Sequence, residues 1–151
     1  MKKIISALLS LIFLFSINVN AEEKLTIEKQ LVGIVGAISG TVKTETRELK
    51  AGDQIYLNET IYAGPGSGTQ ILLLDQSTFT VGEDSEVVMD TFVFDPETND
   101  GKIVASVKQG SLKVISGLIS KKNPDSLTVE VPEGTLGSRG TEFQTIVSKG
   151  K

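Results

Sequence analysis

Thr69-Gln-Ile-Leu-Leu-Leu-Asp75-Gln76-Ser77-Thr-Phe-Thr-Val81 decides the fold class. Strand side chains alternate between faces, so Ile71 and Leu73 point one way, as do Phe79 and Val81. Asp75-Gln76 stands between these runs as a turn, because Asp bonds its own backbone and both residues tolerate a reversal. The spacing predicts a hairpin of Thr69–Leu74 and Ser77–Val81. No stretch of 11 or more residues beyond Ala21 carries helical spacing instead.

The same texture extends both ways. Upstream, Val32–Ala37 and Thr41–Thr46 flank Gly40, and Gln54–Leu57 and Thr60–Ala63 flank Asn58-Glu59. Gly64-Pro-Gly-Ser-Gly68 cannot continue a strand, since proline lacks an amide donor. Downstream, strands are expected at Glu86–Phe94, Lys102–Gln109, Ser111–Ser116, Ser126–Val131 and Thr141–Val147. Leu118–Lys122 has room for one helical turn, and Pro132–Gly140 reads as a loop. Many short strands joined by tight turns predict an all-β domain, a compact sandwich or rolled barrel of short antiparallel strands. A β-solenoid-like roll is the alternative, although it lacks its repeat period here. The expected core is Ile55, Ile61, Ile71, Leu73, Phe79, Val81, Val104, Leu112, Val114, Val129, Val131 and Phe143.

Residues 1–21 have a different character. Lys2-Lys3 precedes an apolar run from Ile4 to Ile17, and Val19-Asn20-Ala21 places compact residues at the −3 and −1 positions of a cleavage site. These are the parts of a secretory signal peptide, predicted to be cut after Ala21. The run is too short for a spanning helix, which needs about 20 residues. Residues 22–30 read as a flexible lead-in and 31–151 as one β domain. The expected address is periplasmic or secreted, with no membrane anchor in the mature chain.

Loss of Lys2 and Lys3 takes the net charge from −4 to −6. An acidic chain with only two arginines, Arg47 and Arg139, is a poor partner for nucleic acid. The absence of cysteine leaves the apolar core to hold the fold without disulfides.

With no His and no Cys, the chain cannot build a Ser-His-Asp triad, a thiolate nucleophile or a zinc site of imidazole and thiolate. Ser148-x-x-Lys151 is the one Ser–Lys spacing. Asp53, Asp75, Glu83, Asp84 and Glu86 could in principle pair for glycoside hydrolysis, but each falls in or beside a predicted turn. Asp95 to Gly101 echoes a calcium loop. Its glycine comes one place late, and Ser106 stands where the closing Glu belongs. No catalytic residue, metal ligand or cofactor is assigned.

Gly134-Thr-Leu-Gly137-Ser138-Arg139-Gly140-Thr141 is the most specific stretch. Three glycines in seven residues suit a sharply bent backbone, and an arginine between small residues can grip a carboxylate through two parallel bonds. Two readings stay open. Arg139 could pair internally with Asp75 or Asp53, or Gly137, Arg139, Gly140 and Thr141 could hold an anionic ligand.

At this loop the chain resembles the FecR domain family, named for the periplasmic part of the ferric-citrate regulator. Leu49-Lys-Ala-Gly52-Asp53-x-Ile55 is similar to the family's L-x-x-G-D-x-I turn. Gly64 to Asp75, with Ser77-x-Phe79-x-Val81, resembles its central hairpin, with Gln76 where glycine is usual. Val131-Pro132-x-Gly134-Thr-Leu-Gly137-Ser-Arg139-Gly140-Thr141-x-Phe143 resembles its R-G-T signature. Gly110 to Gly117, followed by Ile119 and Pro124, resembles a segment of stand-alone exported members. The resemblance covers residues 31 to 147 and implies a β fold, a cell-envelope address, and a non-catalytic binding or sensing role. It does not carry the regulator's transmembrane signalling, for which this chain has a cleavable signal instead. Another envelope or secreted protein is the expected partner, with Thr141–Lys151 an edge strand that a partner or a second copy could complete.

Overall fold

The computed structural model describes residues 28–137 and 140–148. The signal segment and its cleavage site, Ser138, Arg139 and the Lys151 of the Ser–Lys spacing lie outside them. So does residues 22–27 of the lead-in, whereas Gln30 is tied in by donating to the Phe92 carbonyl at 2.6 Å and accepting from the Leu57 amide at 2.8 Å.

The strands are β1 (Leu31–Ser39), β2 (Val42–Lys43), β3 (Gln54–Tyr56), β4 (Thr60–Ala63), β5 (Gly68–Leu73), β6 (Thr78–Val81), β7 (Ser85–Phe94) and β8 (Gly101–Ile115). A short helix α1 (Leu118–Lys122) and a 3-10 turn (Pro124–Ser126) lead to β9 (Leu127–Val131), β10 (Gly134–Gly137) and β11 (Glu142–Val147). The fold is all-β and rolled, as expected. The predicted hairpin is β5 against β6, with Ile71 opposite Phe79 and Gln76 reversing the chain at φ 69°. Ile71, Leu73, Phe79 and Val81 all face the core.

β8 organises the molecule. Residues 101–109 pair with β7, and residues 112–115 pair with β6. On its other side it takes β9 along 103–106 and β11 along 110–115. One long strand therefore belongs to two layers. The first runs β3-β1-β5-β6-β8-β11, and the second runs β2-β4-β7-β8-β9-β10. Side chains from both inner faces form one core, including Val32, Val35, Ile55, Phe79, Phe92, Ile103, Leu112 and Leu127.

Several local expectations are corrected. Lys102–Gln109 and Ser111–Ser116 are halves of one strand, because Gly110 at φ 83° bends β8 without ending its pairing. The β8–β9 pair is parallel, since α1 and the 3-10 turn carry the chain back to run alongside. The Pro132–Gly140 loop contains β10, an exposed strand returning along β9. Val131 and Phe143 are only partly buried, because they sit near the margins of the two layers. The neighbouring runs around Asn58-Glu59 do not pair with each other: β3 joins β1, and β4 joins β7.

Candidate functional site

The turn of the β5–β6 hairpin sits beneath α1 and builds a buried polar node. Asp75 is fully buried. Its Oδ1 accepts from the Ser77 amide at 3.0 Å, and its Oδ2 accepts from the Ser77 hydroxyl at 2.8 Å and the Ile119 amide at 3.3 Å. The Asp75 carbonyl accepts from the Leu118 amide at 2.7 Å. Gly117, the residue before α1, has no side chain to cap the helix, so Asp75 satisfies two of its first amides from across the fold. A Cβ on Gly117 would stand 2.3 Å from the Ser77 nitrogen, so only glycine lets the backbones meet there.

The node reaches the R-G-T segment. The Gly117 amide donates to the Ser77 hydroxyl at 3.0 Å. Beside it, the Ser116 amide donates to the Thr141 carbonyl at 2.8 Å, and the Ser116 hydroxyl donates to the Gly140 carbonyl at 3.1 Å. Asp75, Gly140 and Thr141 thus share one end of the molecule, joined through Ser77, Ser116 and Gly117. Gly137, Gly140 and Thr141 are exposed, and nothing lies within 4 Å of a Cβ built on either glycine. Arg139 lies outside the described residues. Local sequence marks Ser77, Ser116 and Gly117 only as strand or turn residues, although they fall in the segments that carry the family resemblance.

Asp53 belongs elsewhere. It accepts from the Lys50 amide at 2.8 Å and lies 3.9 Å from Arg47. Arg47 also meets Glu59 at 3.1 Å and donates to the Gln54 carbonyl at 2.5 Å. Asp53 and Asp75 thus each hold a separate turn and share no hydrogen-bond partner among the described residues.

The Asp95–Gly101 loop is the β7–β8 connection. Asp95 accepts from the Glu97 amide at 2.9 Å, and the Lys122 ammonium lies 2.7 Å from both Asp100 Oδ1 and the Thr98 carbonyl. Hydrogen bonds from Lys122 and Thr98 hold the Asp100 carboxyl below its usual pKa. A lysine thus sits on oxygens that a cation would need. Among the described residues, no group of three or more His, Cys, Asp or Glu is placed to hold a metal ion.

The surface offers two further features. Across the outer face of the first layer, Ile34 stands opposite Leu72, Leu72 opposite Thr78, and Thr78 opposite Ile115. Ile34 and Leu72 are each 41% exposed, Leu74 48% and Ile115 39%, with Thr78 standing between Leu72 and Ile115. At the margin, a groove of about 360 Å³ opens where the ends of β9 and β11 approach each other along β8, lined by Lys108, Val131, Pro132, Glu133 and residues 145–148.

A family model described as FecR protein matches residues 59–151. No curated protein and no solved structure matches the chain.

Proposed function

The chain belongs to the FecR protein family, and from that membership we propose a regulatory, non-catalytic envelope domain that works by binding another protein. Residues 1–21 serve as the export signal in this reading, and residues 31–151 act as one domain in the periplasm or outside the cell. The supporting chemistry is consistent. The chain has no imidazole or thiol, and the buried carboxylate Asp75 is committed to backbone and hydroxyl donors rather than to solvent.

The observation that carries the binding role is the row Ile34, Leu72, Leu74 and Ile115. Apolar side chains exposed on one sheet face, with Ile34 directly opposite Leu72, leave hydration unrelieved until another surface covers them. Cross-linking of the exported protein in intact cells, followed by mass spectrometry, tests the reading. Wild type should trap a specific envelope protein. Leu72→Lys should lose at least about 10-fold of that product at unchanged Tm, which corresponds to about 1.4 kcal/mol. Equal trapping by the variant would move the site elsewhere, and trapping of no protein would reject the binding role.

The open space around Gly137 and Gly140 favours a second reading, in which the Gly137–Thr141 loop and Arg139 receive an anionic group. Arg139→Ala should then lose anion binding by calorimetry while keeping its Tm. A large fall in Tm would instead assign Arg139 to holding the fold.

A further inference from the structure

β3 and β2 end the two layers on the side away from β8. Ladder geometry alternates, so only every second residue of an edge strand turns its N–H and C=O outward. On β3, Asp53 and Leu57 bond inward, to Val35 and Gln30, which leaves Gln54 and Tyr56 facing out. On β4, the two-residue β2 pairs with Tyr62 and Ala63, which leaves the Thr60 amide beyond its reach. Side chains cover three of these backbone groups. Arg47 donates to the Gln54 carbonyl, Glu59 accepts from the Tyr56 amide at 2.9 Å, and Glu45 accepts from the Thr60 amide at 3.0 Å.

Glu45 and Arg47 belong to one turn, Thr44–Glu48. Its base is fixed. The Leu49 amide donates to the Val42 carbonyl at 2.8 Å, Lys43 bridges Glu48, and Val42 and Leu49 are buried in the core. The turn is braced within itself. The Thr44 amide donates to the Arg47 carbonyl at 2.8 Å, and the Thr46 amide donates to the Thr44 hydroxyl at 3.4 Å. It contains no apolar residue, so it adds nothing to the core. Among the described residues, charged side chains hold it down. Glu45 grips β4. Arg47 grips the β3 side through the Gln54 carbonyl, the Glu59 carboxylate at 3.1 Å, Asp53 at 3.9 Å and the Tyr56 ring at 6.0 Å. The Arg47 side chain is 32% exposed, and exposed ion pairs hold weakly. Burial opposes ionisation of Glu45, but the Thr60 hydrogen bonds, helped by the charge of Lys108 on β8, outweigh it and hold the carboxyl below its usual pKa.

We infer that the Thr44–Glu48 turn is a latched flap. It hinges on the Val42–Leu49 base, and Glu45 and Arg47 release and engage together, over the margins of both layers, while the core stays folded. A braced turn tied down at two points makes each contact raise the local concentration of the other. Loss of either latch therefore loosens both. Opening exposes no apolar side chain of the turn, so it belongs to the local, low-cost motions rather than to unfolding. It bares the Thr60 amide and the Gln54 carbonyl, and so decides whether this side of the roll presents covered or unpaired strand margins.

The Thr60 amide reports on the flap. Glu45 holds it and Arg47 does not, so it feels the loss of Arg47 only if the turn moves as one body. Arg47→Met keeps an apolar stem and removes the charge. Residue-resolved hydrogen exchange of this variant should show Thr60 exchanging at least about 10-fold faster than in wild type, at unchanged Tm. Two amides are the controls: Leu49, bonded at the base, and Tyr56, held by Glu59. Both should keep their wild-type rates. If Arg47→Met does not fold, Arg47→Lys decides; it keeps the charge but lacks the planar fork, and should speed Thr60 by a smaller factor. A folded variant in which Thr60 exchanges at the wild-type rate would show that Glu45 and Arg47 act separately. Leu49 or Tyr56 accelerating by the same factor as Thr60 would show that the whole margin loosens. Either result overturns the flap.

Discussion

Asp75 shows what one buried carboxylate does in this fold. It answers the Ser77 amide, the Ser77 hydroxyl and the Ile119 amide, and through Leu118 its carbonyl holds the start of α1. Asp75→Ala would leave these donors buried without partners, at about 1–3 kcal/mol for each donor stranded. We expect a total loss of at least about 3 kcal/mol by urea unfolding, with Asp75→Asn losing less because one acceptor oxygen remains. A loss under about 1 kcal/mol for the alanine variant would mean that water or a shifted backbone replaces the carboxylate. The turn at Asp75-Gln76 was legible from the residues themselves, because Asp favours reversals locally. Its burial was not. Ile119, which completes the node, lies 44 positions away, and local alternation carries no information about such a partner.

At the scale of elements, β8 depends on a single glycine. Gly110 has φ 83°, and a Cβ there would lie 2.1 Å from the Ser85 hydroxyl and 2.4 Å from the Ser85 Cα. The bend lets one strand serve both layers, and backbone blocks its relief. Gly110→Ala should cost more than about 3 kcal/mol, from left-handed backbone strain plus crowding. Gly52→Ala, at φ 89° with nothing within 4 Å, is the matched control and should cost about 1 kcal/mol. Equal losses for the two variants, measured by chemical denaturation, would reject the crowding argument. This glycine also explains an error of segmentation. In sequence, Gly110 between two alternating runs reads as a turn. In the fold it curves a strand whose pairing continues on both sides. β10 escaped for the opposite reason: Gly134–Gly137 is exposed along its whole length, so no buried side chains mark it as a strand. Thr60–Ala63, with its apolar residues packed against β7, was legible to the residue.

For the whole molecule, the sharing of β8 couples the two layers. β1 finds its partners in β3 and β5, and β8 joins β6, β7, β9 and β11, so the two layers meet in the one strand β8. These pairings could not be read from the chain, because many alternating strands of similar length are compatible with several sandwich orders. The consequence is cooperative. Neither layer keeps its own central strand if the other unfolds. Native-state hydrogen exchange should therefore show Ile103 and Val107 in the first half of β8, and Leu112 and Val114 in the second, exchanging only by global unfolding with one common free energy. Strand margins such as β10 should exchange far faster by local opening. If the two halves of β8 gave free energies more than about 1 kcal/mol apart, the layers would be separate folding units, and the bend at Gly110 a hinge between them rather than the turn of a single core.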